Sequence, residues 1–200
     1  MSDLGSIWVA NSSYISDAAI VLSAGAAVVL VIATRQNARR AKTLDFILKC
    51  QTDGDILAAR KTFVDVANSE QRSSYYVQHD DVQHPTKVKD LSRLTEEQKI
   101  IETQRNAIRT ILNLNELTAV SILEGAMDER VYRRWGNGTY IKDYDQMTAY
   151  IAEVRNRFGN PAIYKEFEWL ARKWKDDTKF VAPPGWLERK RRALGAVWSA

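Results

Sequence analysis

Ala18 to Thr34 reads AAIVLSAGAAVVLVIAT, a run without a charge, a proline, an asparagine or a glutamine. With Ile15 and Ser16 ahead of it and only Asp17 intervening, the apolar block covers residues 15–34. As a helix this is about 30 Å long, the thickness of a bilayer's hydrocarbon core. The expectation is one transmembrane helix. A cleaved signal peptide fits less well, because residues 1–17 hold no Lys or Arg. Val28 to Ile32 also carry the apolar run past Ala24-Gly25-Ala26-Ala27, the small residues that could imitate a cleavage site. A soluble core helix of this length would normally show polar punctuation.

The flanks set an orientation. On the N-terminal side of the uncharged run the only charges are Asp3 and Asp17, whereas Arg35, Arg39, Arg40 and Lys42 follow it closely. Basic residues beside a span stay on the cytoplasmic side, where the leaflet is anionic. The expected topology is therefore single-pass in a bacterial inner membrane, with a short extracytoplasmic tail at 1–14, a span at 15–34, a basic juxtamembrane segment at 35–42 and the rest cytoplasmic. Trp8 and Tyr14 suit the outer interface. Ala19, Ser23 and Ala27 repeat every four residues and form a small-residue stripe suited to packing against another span.

The remaining chain has the length of one ordinary domain. Lys and Arg number 29 against 25 Asp and Glu, and the juxtamembrane cluster supplies four of the positive charges. What is left is close to neutral, which argues against a nucleic-acid partner. Cys50 is the sole cysteine, so no intramolecular disulfide can form, in keeping with a reducing compartment. Four Pro and nine Gly in 200 residues favour helix throughout. The expected fold class is all-α: the N-terminal transmembrane helix, a cytoplasmic helical bundle over 43–180, and a basic amphipathic tail over 181–200.

Within the bundle, helix can continue unbroken past Arg35. Leu44, Ile47 and Cys50, then Ile56, Ala59, Phe63, Val66 and Ala67, recur at three and four. Thr52-Asp53-Gly54-Asp55 between them either restarts a helix, with Thr52 or Asp53 as cap, or kinks one. Residues 69–94 are too polar for a core-facing helix and read as a mobile loop. Thr95 and Gln98 form a capping box for a helix to about Glu124, ended or bent by Gly125. Its second half, Leu112 to Leu123, is apolar almost all round and reads as the bundle's central helix. Asp128 caps a short helix with Val131, Tyr132 and Trp135, and Asn137-Gly138 signals a turn. Tyr140, Tyr144, Met147, Ile151, Val154 and Phe158 then mark an amphipathic helix stopped by Gly159. Asn160 as cap and Pro161 in the first turn start the last one, striped by Ile163, Tyr164, Phe167, Leu170, Ala171 and Trp174. In the tail, Trp186, Leu187, Leu194, Val197 and Trp198 share a face, with Arg189, Lys190, Arg191 and Arg192 between them. That pattern suits an anionic membrane surface, with a docking segment for a partner protein and a flexible tail as the rivals.

Four segments together carry a resemblance: Thr43-Leu44-Asp45-Phe46-Ile47, Ile111-Leu112-Asn113-Leu114-Asn115-Glu116-Leu117, Val131-Tyr132-Arg133-Arg134 and Trp169-Leu170-Ala171. The chain resembles a helical domain of unknown function found in bacterial and phage-related single-span membrane proteins, over most of 41–174. The resemblance implies an anchor and a helical cytoplasmic domain. It implies no catalytic residue, and the pattern does not include the basic tail.

Candidates for chemistry are few. His79-Asp80-Asp81 with His84 could offer imidazoles and carboxylates to a metal, but in a polar loop nothing fixes them. Asn113, Asn115 and Glu116 sit in the most apolar helix, where the carboxylate needs a partner, since an unpaired buried charge costs several kcal/mol, and Arg133 or Arg134 could supply one. A structural ion pair is the plain account of that set, a binding pocket or acid–base site the sharper one. Cys50 lies on an apolar stripe and reads as a small hydrophobe rather than a nucleophile. Asp53 with Asp55, and Asp143 with Asp145, diverge on a helix and make poor bidentate sites. Fourteen Trp and Tyr residues suggest a well-filled core or an aromatic interface. No cofactor motif is present. The expectation is a non-enzymatic anchored protein, a scaffold or accessory subunit whose partners are the lipid bilayer and other membrane protein subunits or a second copy. The alternatives are a membrane-perturbing effector or sensor in phage exclusion or defence, and an enzyme built on Glu116.

Overall fold

Six helices, and no strand, make up the described residues of the computed structural model, which covers 4–78 and 95–177, with the backbone alone for 4–18. Helix α1 spans Leu4–Thr52, α2 Gly54–Ala67, α3 Tyr75–Gln78, α4 Glu96–Leu123, α5 Glu129–Phe158 and α6 Lys165–Asp176.

Helix α1 is 49 residues long, which at ~1.5 Å per residue is about 74 Å. Its part from Ala19 to Thr52 is long and apolar enough to cross a membrane, and none of its most apolar window is buried against the domain. The helix already exists at Leu4, so the segment before Ile15, expected as a short tail outside the span, is helical backbone continuous with it from that residue on. Extending a formed helix by one residue gains a hydrogen bond without a new nucleus, which favours continuation through Asn11-Ser12-Ser13. At the other end α1 runs straight into the bundle. Thr43 and Ile47 are buried there, with Phe46 and Cys50 partly so, while Leu44 stands outside. The buried face is thus one residue round from the expected Leu44 stripe.

Asp53 separates α1 from α2. Its carboxylate accepts from the backbone N–H of Asp55 at 3.1 Å and of Ile56 at 3.2 Å, a cap that starts α2. Helix α2 lays Phe63 and Val66 into the core against α4. The short α3 also packs inward, through buried Tyr76 and Val77, so this part of the expected loop contributes to the core. Arg157 Nη1 holds it from α5 by donating to the Val77 carbonyl at 2.6 Å.

The capping box at the head of α4 is present as expected: Gln98 N–H donates to Thr95 Oγ1, and Thr95 N–H to Gln98 Oε1. Gly125, at φ +66°, follows the end of α4. The second half of α4 is not enclosed. Ile111, Leu112, Ala119 and Ile122 are buried, but Leu117, Val120 and Leu123 are 58%, 38% and 45% exposed, so one apolar face meets solvent.

Helix α5 passes through Gly136-Asn137-Gly138 without the expected turn. Tertiary contacts override local preference here. Tyr132 and Tyr140, on either side, are both buried in the aromatic core, and the Asn137 side chain accepts from Arg133 Nε at 3.2 Å instead of bending its own backbone. Tyr140 meets Phe167 edge-on at 4.8 Å and Trp174 at 4.9 Å, which seats α6 on α5. Gly159, at φ +58°, closes α5 as its composition suggested. Helix α6 begins later than expected. Asn160 Oδ1 accepts from Ala162 N–H in a tight turn, residues 161–164 complete that turn, and helix starts at Lys165.

One buried hydroxyl fastens α1 to this bundle. Thr43, fully buried, donates to the Arg39 carbonyl at 2.7 Å and accepts from Asp128 N–H at 2.8 Å. Asp128 in turn caps α5 through Val131 N–H and meets Arg40 Nε at 3.4 Å. Thr43→Val keeps the shape and strands the Asp128 N–H, so it should cost about 1–2 kcal/mol. The exposed Arg40 pair should be worth less than about 1 kcal/mol. Thermal melts of the full chain in detergent check this: T43V melts clearly below R40A, and T43S stays near wild type.

Candidate functional site

A cavity of about 310 Å³ lies at the corner between α1 and α2, closed on its far side by α4 and α5. Its rim carries Gln51, Leu57, Trp135 and Thr139, all exposed, with Cys50 and Ile56 half-buried. Its floor is formed by Asn115, Tyr132, Gly136, Tyr140 and Asp143, all buried. The Asp53 break creates this corner, because it turns the chain from α1 into α2 beside the cavity.

The floor is polar at one point. Arg60 Nη1 donates to Asp143 Oδ2 at 2.6 Å, and Asn115 Nδ2 donates to the same oxygen at 3.1 Å. Asp143 Oδ1 takes no hydrogen bond from the described residues. Burial pushes the Asp143 carboxyl up, against the pull of the Arg60 guanidinium and the Asn115 amide. Tyr140 Oη donates to the Asn115 carbonyl at 3.0 Å and so fixes the adjacent floor. Arg60 also lies over the Phe63 ring, its guanidinium carbon 5.4 Å from the ring centre.

Gly136 belongs to the same wall. A Cβ there would meet the Tyr132 ring at 3.5 Å, an ordinary contact. Packing inside the domain therefore does not require glycine, although glycine within a helix costs about 0.5–1 kcal/mol against alanine. Its effect is a flat patch beside the cavity.

The expected pairing of Glu116 with Arg133 or Arg134 does not form. Glu116 Oε2 accepts from the Phe167 N–H at 2.7 Å, at the start of α6. Arg133 sits at the other end of the same helix. It donates to the Trp174 carbonyl at 3.2 Å and to Asp177 Oδ2 at 2.7 Å, and lies over the Trp174 ring. The two residues flank a helix of 12 residues, about 18 Å long. Arg133 supplies the charge sign that its end of the helix dipole favours, and Glu116 completes the other end as a hydrogen-bond acceptor. Arg134 is exposed. Desolvation, then the hydrogen bond that the protonated Glu116 carboxyl donates to the Glu166 carboxylate, pushes Glu116 up to about 7, with the Phe167 N–H pulling the other way. The same hydrogen bond holds Glu166 below its ordinary range, so the shared proton belongs to Glu116.

The other expected positions are dispersed. Ala19, Ser23 and Ala27 are exposed along α1, and the Ser23 hydroxyl folds back on the Ile20 carbonyl at 2.8 Å. In the basic segment, Arg39 lies against Gly125 and Arg40 reaches Asp128, while Arg35 and Lys42 are exposed. Asp143 and Asp145 diverge as expected, Asp143 to Arg60 and Asp145 to Lys175 at 2.8 Å, while Asp53 caps α2 and accepts from the Asp55 N–H. The cluster His79, Asp80, Asp81 and His84, and the tail with Trp186, Arg189, Lys190, Arg191, Arg192 and Trp198, lie outside the described residues. Arg60, Asn115 and Asp143 come together from three helices, a set that no spacing in the sequence announces. Asp143 did leave a signal, since it stands between Tyr140 and Tyr144 and four residues before Met147, inside an apolar stripe.

The chain belongs to the family described as Domain of unknown function (DUF4760), which it matches over residues 14–174. No curated protein and no solved structure matches it. The family match joins the apolar helix and the bundle in one unit, and it brings no assigned activity.

Two substitutions separate these polar groups. Arg60→Met leaves the buried Asp143 carboxylate without its cation and should cost about 2–3 kcal/mol near neutral pH. Asp143 can then take up a proton, so the loss shrinks as pH falls, and denaturant melts at pH 5 and pH 8 measure the difference. For Glu116 the folded value of about 7 lies above the ordinary 4.5. The stability it contributes is therefore full below the ordinary value and lost as pH rises through the folded one. Glu116→Gln keeps an acceptor for Phe167 N–H and loses the titration. The melting temperature of wild type minus that of E116Q should fall between about pH 4.5 and 7 and level off above.

Proposed function

We propose that this chain is a non-enzymatic, single-span protein that holds its helical domain on the cytoplasmic face of a bacterial inner membrane, N-terminus outside. There it acts as a scaffold or accessory subunit for other membrane protein subunits or for a second copy. The observation that carries the reading is the passage of α1 from its apolar part into the bundle without a break, locked at Thr43 and Asp128. A rigid joint of that kind transmits position, which a flexible linker would not. Arg39 lies against Gly125 only five residues past Thr34, or about 8 Å along the helix. The corner between α4 and α5 therefore stands close to the lipid surface. The open face of Leu117, Val120 and Leu123 ascends α4 toward that corner and offers another subunit an apolar contact.

The second reading, a sensor or membrane-perturbing effector in phage exclusion or defence, is favoured by the cavity at the bend between α1 and α2. A molecule lodged there would bear on the cytoplasmic end of the helix that enters the membrane, and Ala19, Ser23 and Ala27 would carry association of spans in lipid.

The test is native mass measurement of the full chain in lipid nanodiscs, with and without Leu117→Ser and Leu123→Ser. The expected result is a second copy or a defined subunit, released by the paired change while the melting temperature holds. A lone monomer in the wild type overturns the scaffold role. Recovery of the full chain in the detergent-free supernatant after ultracentrifugation overturns anchoring itself.

A further inference from the structure

The cavity between the α1–α2 corner and α5 is too particular to be a packing defect. It opens at the surface, holds one hydrogen-bonding edge on its floor, and has aromatic and aliphatic walls. We propose that it binds a small, neutral, planar molecule bearing a hydrogen-bond donor and an acceptor side by side, a carboxamide or lactam edge on a flat ring. This goes beyond the anchoring role and holds whichever subunit the domain contacts.

Charge selects against ions. Arg60 and Asp143 neutralise each other at 2.6 Å, so no unopposed charge is left on the floor for an ionic guest. Burying such a guest would cost its hydration without a counter-ion. Hydrogen-bond capacity selects the edge. Asp143 Oδ2 already accepts from Arg60 and Asn115, which leaves Oδ1 as the free acceptor. Among the described residues Arg60 spends only Nη1 on a hydrogen bond, so its other N–H groups remain as donors. An amide answers both, its N–H toward Asp143 and its carbonyl toward Arg60. Aromatic walls favour an aromatic guest: Tyr132 and Trp135 stand on one side, edge to face with ring centres 5.4 Å apart, and Gly136 adds no side chain. A volume near 310 Å³ is at the small end of ligand pockets, which run from about 300 to 1,000 Å³.

The experiment uses the full chain in nanodiscs, with the indole N–H resonance of Trp135 as reporter and empty nanodiscs as the partition control. Four probes share one ring: benzamide, benzoate, benzylamine and toluene. The expected result is that benzamide shifts the Trp135 signal at a concentration about tenfold lower than any of the others. Thr139→Trp, a change at an exposed rim position, should abolish that shift with the melting temperature kept, and Arg60→Met should weaken benzamide while sparing toluene. Equal response to toluene would mean an apolar void with no polar selection and would overturn the assignment. Preference for benzoate or benzylamine would overturn its neutrality. No response to benzamide at its solubility limit, or an undiminished response in T139W, would overturn the site.

Discussion

The hydrogen bond from Asp128 N–H to the buried Thr43 hydroxyl is the joint on which the arrangement turns. It lies where the helix that carries the apolar stretch first meets the domain. Apolar contacts of Ile47 and Phe46 hold α1 against the bundle without fixing its register. With the hydrogen bond, the N-terminus of α5, the last turn of α4 at Gly125 and the basic residues Arg39 and Arg40 are held in one register. The bond is short and dry, and its loss would strand a donor, so it outweighs the exposed Arg40 ion pair beside it. The basic residues consequently have two tasks: they flank the apolar stretch, and two of the four also touch the corner between α4 and α5.

Helix α6 shows the same economy. It has no side-chain cap of its own, because Tyr164 precedes it in the left-handed region at φ +56°. Both of its ends are completed from elsewhere, by Glu116 of α4 at the start and Arg133 of α5 at the finish. Twelve residues would not hold a helix in isolation. The burial of Phe167, Leu170, Ala171 and Trp174, together with these two remote caps, holds this one. Because the two caps come from different helices, α6 also ties α4 to α5.

Elements with a strong local period were legible in the sequence. The apolar run, the Thr95 capping box, the Asp53 cap and the stripe from Tyr140 to Val154 all stand where the spacing placed them. What failed was local chemistry overruled by distant partners. Asn137-Gly138 reads as a turn because both residues favour one, but the neighbouring tyrosines are buried in a core contributed by α6. Asn160-Pro161 reads as a helix start, but the cap of α6 comes from Glu116, 51 positions away. The Glu116 partner was sought among arginines because a buried carboxylate asks for a cation, whereas a helix N-terminus meets the same need with backbone N–H groups. Of the floor of the cavity, Asn115 was detectable as a polar residue in the most apolar helix and Asp143 as a carboxylate within an apolar stripe. Arg60 lies on another helix, and no spacing rule connects three helices.

The cavity and the joint are linked by geometry. Between Thr43 and Cys50 the chain makes seven helical steps, about 10 Å of rod. Asp128 grips one end of that rod and the cavity wall forms the other. Anything that alters the angle between α1 and α2 at Asp53 must also move Cys50 and Gln51 against Tyr132 and Trp135, because the far end of the rod is pinned. Tyr132 in turn meets Phe46 and Trp174 in tilted ring contacts, which connect it to the α6 side of the core as well. A flexible linker in place of α1 would absorb such a displacement within a few residues. A continuous helix seated by Thr43 and Ile47 instead carries it along α1 toward its apolar part.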